Sequence, residues 1–230
     1  MSQELLKKNI VNYKDLVINI EESRLKKCLK MIMAENPGRC LDVGCGSGEF
    51  SSKLIALGWD VYGVELVSEQ VVLAEQKGIK AYQSNLGETA MPFESDFFDL
   101  VFAGEIIEHV IDTDMFILDL QRVTKPEGIL IITTPNLASF ENRIRLLFGV
   151  YPEWMDYSLQ EGCGHVRAYT PKVLKRQLSK SGFKVLRHLG DWVPLLPRRY
   201  INDIKYPFLA KIADVFPDLA SGIIIQAIKI

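Results

Sequence analysis

Long apolar runs, paired cysteines and a surplus of either charge are all missing from this sequence of 230 residues. The longest uncharged stretch of its most apolar region, Gly128 to Phe140, has 13 residues and includes Thr, Pro and Asn; a spanning helix needs about 20 mostly apolar ones. No transmembrane segment is expected, and any membrane contact would be peripheral. Lys and Arg number 27 against 29 Asp and Glu, a formal charge of −2, which lacks the basic balance that sequence-independent nucleic-acid binding draws on. The four cysteines, Cys28, Cys40, Cys45 and Cys163, form no CxxC pair and no zinc-ribbon spacing, and a chain of this length needs no disulfide to hold a core. All four are expected to be reduced. The opening Met1-Ser-Gln-Glu-Leu-Leu-Lys-Lys leads into mixed charge rather than an apolar run with a cleavage site, so the sequence predicts a cytoplasmic protein.

What is present is alternation. From Tyr13 to Ala34 apolar residues recur at helical intervals until Asn36-Pro37-Gly38 stops them, marking an N-terminal helical segment, residues 1–34, ahead of one domain over 35–230. Arg39 to Val43 reads as a strand, the glycine-rich stretch after it as a turn, and Ser47 to Leu57 as a helix. Strands follow at Asp60 to Glu65, Lys80 to Gln83, Phe98 to Phe102 and Ile129 to Thr133, with helices at Ser68 to Lys77, Ile106 to Val123, Leu137 to Phe148 and Pro171 to Ser181. Parallel strands need such crossovers, so the fold class is α/β with a doubly wound sheet. Phe183 to Leu189 and Gly222 to Ile230 add two strands without a clear crossover between them, which fits an antiparallel strand set into a parallel sheet. Gly149 to Gly164 and Gly190 to Ala220, rich in Tyr, Trp, Pro and Arg, are left as insertions.

Gly44-Cys45-Gly46-Ser47-Gly48 falls at the carboxyl end of the first strand, where open α/β sheets bind ligands. The dinucleotide fingerprint GxGxxG asks for glycine or alanine at position 49, but Glu49 stands there and Asp42 precedes the turn. Two carboxylates cradle a pyrophosphate poorly and suit a ligand carrying positive charge. Glu65 closes the second strand 21 residues after Gly44, where an acidic side chain can accept both hydroxyls of a ribose.

Leu41-Asp-Val-Gly-Cys-Gly-Ser-Gly-Glu-Phe50, Val64-Glu65, Phe98-Asp-Leu-Val-Phe102, Glu108-His109-Val110 and Lys125-Pro-Glu-Gly128, in this order, resemble the class I S-adenosylmethionine-dependent methyltransferases over about Ala34 to Ile230. The resemblance implies a Rossmann-like seven-stranded sheet of order 3-2-1-4-5-7-6 with strand 7 antiparallel. It also implies that Gly44, Cys45, Gly46 and Gly48 line the methionine end of the cofactor and that Glu65 and Leu66 hold the ribose. Asn85 would stand where many relatives carry an adenine-reading Asp, and Leu86 would pack on the base.

Glu105, Glu108 and His109 share one face of a helix that begins at Glu105. With His165 they could bind a divalent ion, and carboxylate and imidazole ligands suit Mg²⁺, Mn²⁺ or Zn²⁺. The run ExxEH with a later His resembles the ubiquinone-type O-methyltransferases and the small-RNA 2′-O-methyltransferases. Two other readings stand beside the metal. Glu105 could lie over the cofactor's methionine, and His109 could act as a metal-free base or simply pack. His188 is expected at the surface.

Thr134-Pro-Asn136 should border the acceptor, with Asn136 as an orienting group. Arg143, Arg145, Tyr151, Trp154, Tyr157, Trp192, Arg198, Arg199 and Tyr200 could bind sugars or phosphate, and Leu195, Leu196, Phe208 and Phe216 an isoprenoid tail, or these side chains could pack into a lid. The run TPN, then GHxRxYT and GFxV, also resembles surface-glycan methyltransferases. The sequence thus predicts O-methylation of a small-molecule, glycan or lipid-linked acceptor, with His109 and Glu105 as candidate catalytic groups. RNA 2′-O-methylation, non-catalytic cofactor binding and nicotinamide-dependent oxidoreduction are the rivals.

Overall fold

The computed structural model describes residues 19–156, 158, 164–195 and 202–230. Strand β1 (Arg39–Val43) is buried at four of its five positions, as expected of a central parallel strand covered on both faces. Beside it lie β2 (Asp60–Glu65) and β3 (Lys80–Gln83) on one flank, β4 (Phe98–Gly104) and β5 (Thr124–Pro135) on the other. β7 (Gly222–Lys229) then pairs antiparallel with both β5 and β6 (Phe183–Gly190). The sheet order is 3-2-1-4-5-7-6, the order implied by the sequence resemblance.

Successive strand residues face opposite sides, and two cores follow from that alternation. Leu41, Val43, Leu130 and Ile132 join a core capped by α4 (Thr113–Val123) and α6 (Pro171–Lys180). Cys40 and Ile131 join the other, under α1 (Ser23–Ile32), α2 (Glu49–Ala56) and α3 (Ser68–Gln76). The helices after β1 and β4 therefore leave toward opposite faces, and a crevice opens between those strands, as at the switch points of other doubly wound sheets.

The single helix expected over Ile106 to Val123 is divided. A 3₁₀ turn, Ile107–His109, is followed by extended backbone at Val110, and α4 starts afresh where Asp112 caps it by accepting from the Met115 amide at 3.0 Å. β5 begins five residues earlier than expected because Thr124 pairs with Phe98 ahead of a bulge. The remaining helices are α5 (Phe140–Leu147) and α7 (Phe208–Val215). His188 is not a surface residue: its side chain is 9% exposed and lies 3.8 Å from Asp218.

Of the stretch Tyr13 to Ala34, α1 is the described helix; residues 1–18 lie outside the described set, as do Tyr157, Cys163, Leu196, Arg198, Arg199 and Tyr200. Cys28, Cys40 and Cys45 are free and buried. α1 buries Leu25, Cys28, Met31 and Ile32 against the sheet. From its other side the Lys27 ammonium donates to the carbonyls of Gly190 (2.7 Å) and Ala210 (2.8 Å) and to Asp214 (2.6 Å). The Ser23 amide donates to Asp203 at 2.7 Å. α1 and the 190–215 region are thereby fastened together across the mouth of the crevice.

Candidate functional site

The turn after β1 is held by its neighbours before any ligand is considered. The amides of Gly44 and Cys45 donate to the Val64 carbonyl at 2.8 and 3.1 Å. Gly44 has φ +75°, and a Cβ there would collide with the Ile106 side chain, so glycine is required twice over. Glu65 accepts from the amides of Leu66 (2.7 Å) and Val67 (3.0 Å) through one oxygen and from Gly46 (3.0 Å) through the other. Its carboxylate thus fixes the turn while keeping one lone-pair site, on the oxygen that faces Gly46, for a further donor. Asp42 is 3% exposed and accepts from the Ser51 hydroxyl at 2.6 Å. Burial pushes its carboxyl up to about 7, partly opposed by the Ser51 bond and reinforced by the charge of Glu65.

A cavity of about 690 Å³ fills the crevice. Its wall includes Asp42, Gly44 and Gly46 around the turn after β1, Glu65 and Leu66 at the end of β2, Asn85 and Leu86 after β3, and Glu105, Glu108, His109 and His165. Cys45 is fully buried with its sulfur toward Gly63, and Gly48 sits over Ala74 and Ile79, so neither lines the cavity. Glu49 also faces away, paired with Lys77 at 2.8 Å and accepting from Ser47; Asp42 and Glu65 are in the cavity wall. Asn136 is spent on structure, donating to the carbonyls of Asp218 and Ala220 and accepting from the Ala138 amide.

Arg24, on α1, escaped the sequence reading, yet among the described residues it is the only Lys or Arg in the cavity wall. It lies 3.4 Å from Glu22, 3.9 Å from Glu105 and 3.4 Å from the Thr133 hydroxyl. The available signal was its position four residues before Cys28, on the apolar face of an amphipathic helix. Glu105 adopts φ +58°, costly for a side chain with a Cβ, and accepts from Thr133 at 2.8 Å. Such strain is maintained at sites that need a side chain in one place.

Glu108, His109 and His165 each bring a ligand atom within 4.8 Å of the others. They do so without the common helical face that the sequence suggested: the Glu108 carbonyl accepts from the amides of Val166 (2.8 Å) and Arg167 (3.1 Å), which lays His165 beside it. Glu105 is not in this group. Nδ1 of His109 faces the Gly164 carbonyl at 3.1 Å and Nδ1 of His165 faces the Trp154 carbonyl at 2.8 Å. A carbonyl can only accept, so each Nδ1 carries the proton and each Nε2 keeps the lone pair. Glu108 Oε2 accepts from the Thr134 hydroxyl at 3.0 Å, while Oε1 is buried without a partner and lies 4.0 Å from His109 Nε2. Burial, and then the Glu105 charge, push the Glu108 carboxyl well above its usual range. Burial and the neighbouring His165 push His109 down to about 4.

On the acceptor side, Trp154 (φ +63°) and buried Trp192 line the cavity. Of the arginines expected to face an anion, Arg143 and Arg145 are engaged elsewhere. Arg145 pairs with Glu153 and Glu141, and Arg143 donates to the Ala138 carbonyl. Leu195, Phe208 and Phe216 are exposed.

A family model described as a methyltransferase domain matches residues 20–188. The ubiquinone biosynthesis O-methyltransferase of Bartonella tribocorum is 28% identical over 185 residues, 75% of this chain and 72% of that protein. Its mitochondrial counterpart from Mus musculus is 33% identical over 135 residues, 52% of this chain and 36% of that one. Among solved structures, an S-adenosylmethionine-dependent methyltransferase from Archaeoglobus fulgidus superposes with a TM-score of 0.63 at 18% identity, covering 90% of this chain and 92% of that one. At that identity the likeness concerns the fold.

Proposed function

Since the chain belongs to the methyltransferase domain family and is an S-adenosylmethionine-dependent methyltransferase, we propose that it methylates a hydroxyl of a small-molecule, glycan or lipid-linked acceptor, oriented by a divalent ion at Glu108, His109 and His165. The observation that carries the metal reading is the paired Nδ1 arrangement: two imidazoles hold their protons on carbonyls, and a ligand atom of each lies within 4.8 Å of a carboxylate oxygen of Glu108, whose Oε1 is buried without a partner. This donor set, one oxygen and two nitrogens, fits Mg²⁺, Mn²⁺ or Zn²⁺. A bound ion would lower the pKa of an acceptor hydroxyl. The metal-free alternative, His109 as the base, is disfavoured because a nitrogen held near 4 takes a hydroxyl proton weakly. The ubiquinone-related names of the homologous enzymes support the O-methyl reading.

S-adenosylmethionine supplies an electrophilic methyl on a sulfonium. Glu65 would accept from a ribose hydroxyl with the lone-pair site that the turn leaves over, and Leu66 and Leu86 would flank the base. Arg24 would meet the α-carboxylate, and Asp42 and Glu105 the ammonium, an arrangement of opposite charges that gains from partial exclusion of water. The protein's contribution to rate would be alignment of oxygen, methyl and sulfur in the crevice. The test is metal removal. Chelator-treated protein should lose methyl transfer to hydroxylated acceptors and regain it with Mg²⁺, Mn²⁺ or Zn²⁺; full activity in chelator would refute the metal-assisted reading.

Asp42 makes the binding pH-dependent. Its folded pKa is raised, so the native state holds the proton more tightly than the unfolded chain does. The stabilisation this gives is complete below about pH 4 and is lost as pH rises through about 7. A cationic ligand prefers the ionised carboxylate, so cofactor affinity should increase between about pH 6 and pH 8. Calorimetric titration across that range should show the rise in the wild type and a flatter profile in Asp42→Asn.

A further inference from the structure

Both imidazoles of the metal group owe their tautomers to backbone carbonyls, and one of those carbonyls is aimed by a side chain outside the cavity wall. Oδ2 of Asp156 accepts from the amides of Gly164 (2.6 Å) and His165 (3.0 Å). Two successive amides converging on one oxygen form a nest for an anion. The second amide does more than close the nest. The His165 N–H and the Gly164 C=O belong to one planar trans peptide, so they point in opposite directions. With the N–H held on Asp156, the carbonyl is turned to His109, whose Nδ1 it meets at 3.1 Å. Residue 164 does not settle that direction by itself: it is a glycine at φ +93°, without the Cβ that restricts the adjoining peptide planes elsewhere. The His165 ring is held by other means. Its Nδ1 faces the Trp154 carbonyl, and the residue before Trp154 is clamped by buried Asn142. The Glu153 amide donates to Asn142 Oδ1 at 2.7 Å, and the Glu153 carbonyl accepts from Nδ2 at 3.3 Å.

We propose that Asp156 is a positioning residue for His109: by fixing the 164–165 peptide plane it keeps the proton on Nδ1 and the lone pair on Nε2, the nitrogen 4.0 Å from Glu108 Oε1. This rests on the reading of Glu108, His109 and His165 as a metal group. Were the plane to turn over, the His165 amide would face Nδ1 in place of the carbonyl. A donor there needs a lone pair, so the proton would move to Nε2, and the nitrogen that should ligate would carry a hydrogen. No charge changes in this step; one neutral imidazole exchanges one tautomer for the other. Asp156 thus acts at one remove, through a peptide rather than through the ring.

The experiment reads the tautomers directly, by nitrogen NMR of the full chain with labelled histidine and no added metal. Protonated and unprotonated ring nitrogens have distinct shifts, and only three histidines contribute. In the wild type His109 should carry its proton on Nδ1. Asp156→Ala should move it predominantly to Nε2, while His165 keeps its own on Nδ1. Asp156→Asn retains an oxygen able to accept from both amides and should restore the wild-type tautomer at His109. Affinity for Mn²⁺, measured by calorimetry, should follow, falling about tenfold in Asp156→Ala and staying near the wild-type value in Asp156→Asn. Binding of S-adenosylhomocysteine should be unchanged in both variants, since Asp156 is not in the cavity wall. An Nδ1 proton retained at His109 in Asp156→Ala would overturn the proposal. So would loss of both histidine tautomers together with S-adenosylhomocysteine binding, the mark of a residue that merely holds the segment together. If the wild type takes up no Mn²⁺, the metal reading falls, and the tautomer at His109 still decides the role of Asp156.

Discussion

Changing His165 to alanine should lower methyl transfer by about 10³-fold at saturating cofactor, with cofactor affinity held within about twofold. The reason is the separation of tasks along the cavity. His165 contributes one of three ligand atoms within 4.8 Å of one another, a group that includes neither Glu65 nor Asn85. Its removal leaves one imidazole and one carboxylate, and Glu108, buried beside Glu105, then tends to hold a proton rather than an ion. His109→Ala should behave alike. Calorimetry with Mn²⁺ or Zn²⁺ supplies the second measurement: affinity should drop at least about tenfold in either variant. Normal turnover in both variants would sink the metal-centred reading outright.

Glu65→Ala should cost about 100-fold in affinity for S-adenosylmethionine, the larger share of it through the turn. One carboxylate receives three backbone amides, from Gly46, Leu66 and Val67, and hydrogen bonds to a charged acceptor contribute roughly 1.5–3 kcal/mol each. Losing it strips the cofactor of its ribose partner and frees the turn that must meet the methionine end. Glu65→Gln separates the two effects. It keeps one acceptor oxygen for the Leu66 and Val67 amides, but its NH₂ cannot accept from Gly46, so an intermediate loss is expected. Equal affinity in Glu65→Ala and the wild type would show that the ribose lies elsewhere.

The fold was legible from strands such as Arg39–Val43, Asp60–Glu65 and Lys80–Gln83, where a short apolar or β-branched run meets a turn residue at each end and nothing competes. The helix expected from Ile106 was not, because its periodicity runs through Val110 and Ile111 and only the Asp112 cap marks a new start. Within the site, Glu65, Asn85 and the histidines could be found from spacing. Their company could not: the Glu108 carbonyl drawing in residues 166 and 167, or Glu49 turning to Lys77, depends on contacts between distant segments. Arg24 stayed hidden for a related reason, since nothing local distinguishes a cavity arginine from a solvated one until the 190–215 region closes over it.

The bond from Lys27 to Gly190 spans 163 positions and that to Asp214 spans 187. During synthesis at about 5–20 residues per second, α1 therefore waits roughly 8 to 37 s between its own appearance and that of the groups it must grip. Its apolar face can settle on β1 early, but the roof of the crevice has no second half until Gly190, Ala210 and Asp214 have left the ribosome. A nascent chain can thus build the floor of the site long before it can retain a methyl donor. Closure of the crevice therefore follows synthesis of the segment that carries Gly190, Ala210 and Asp214.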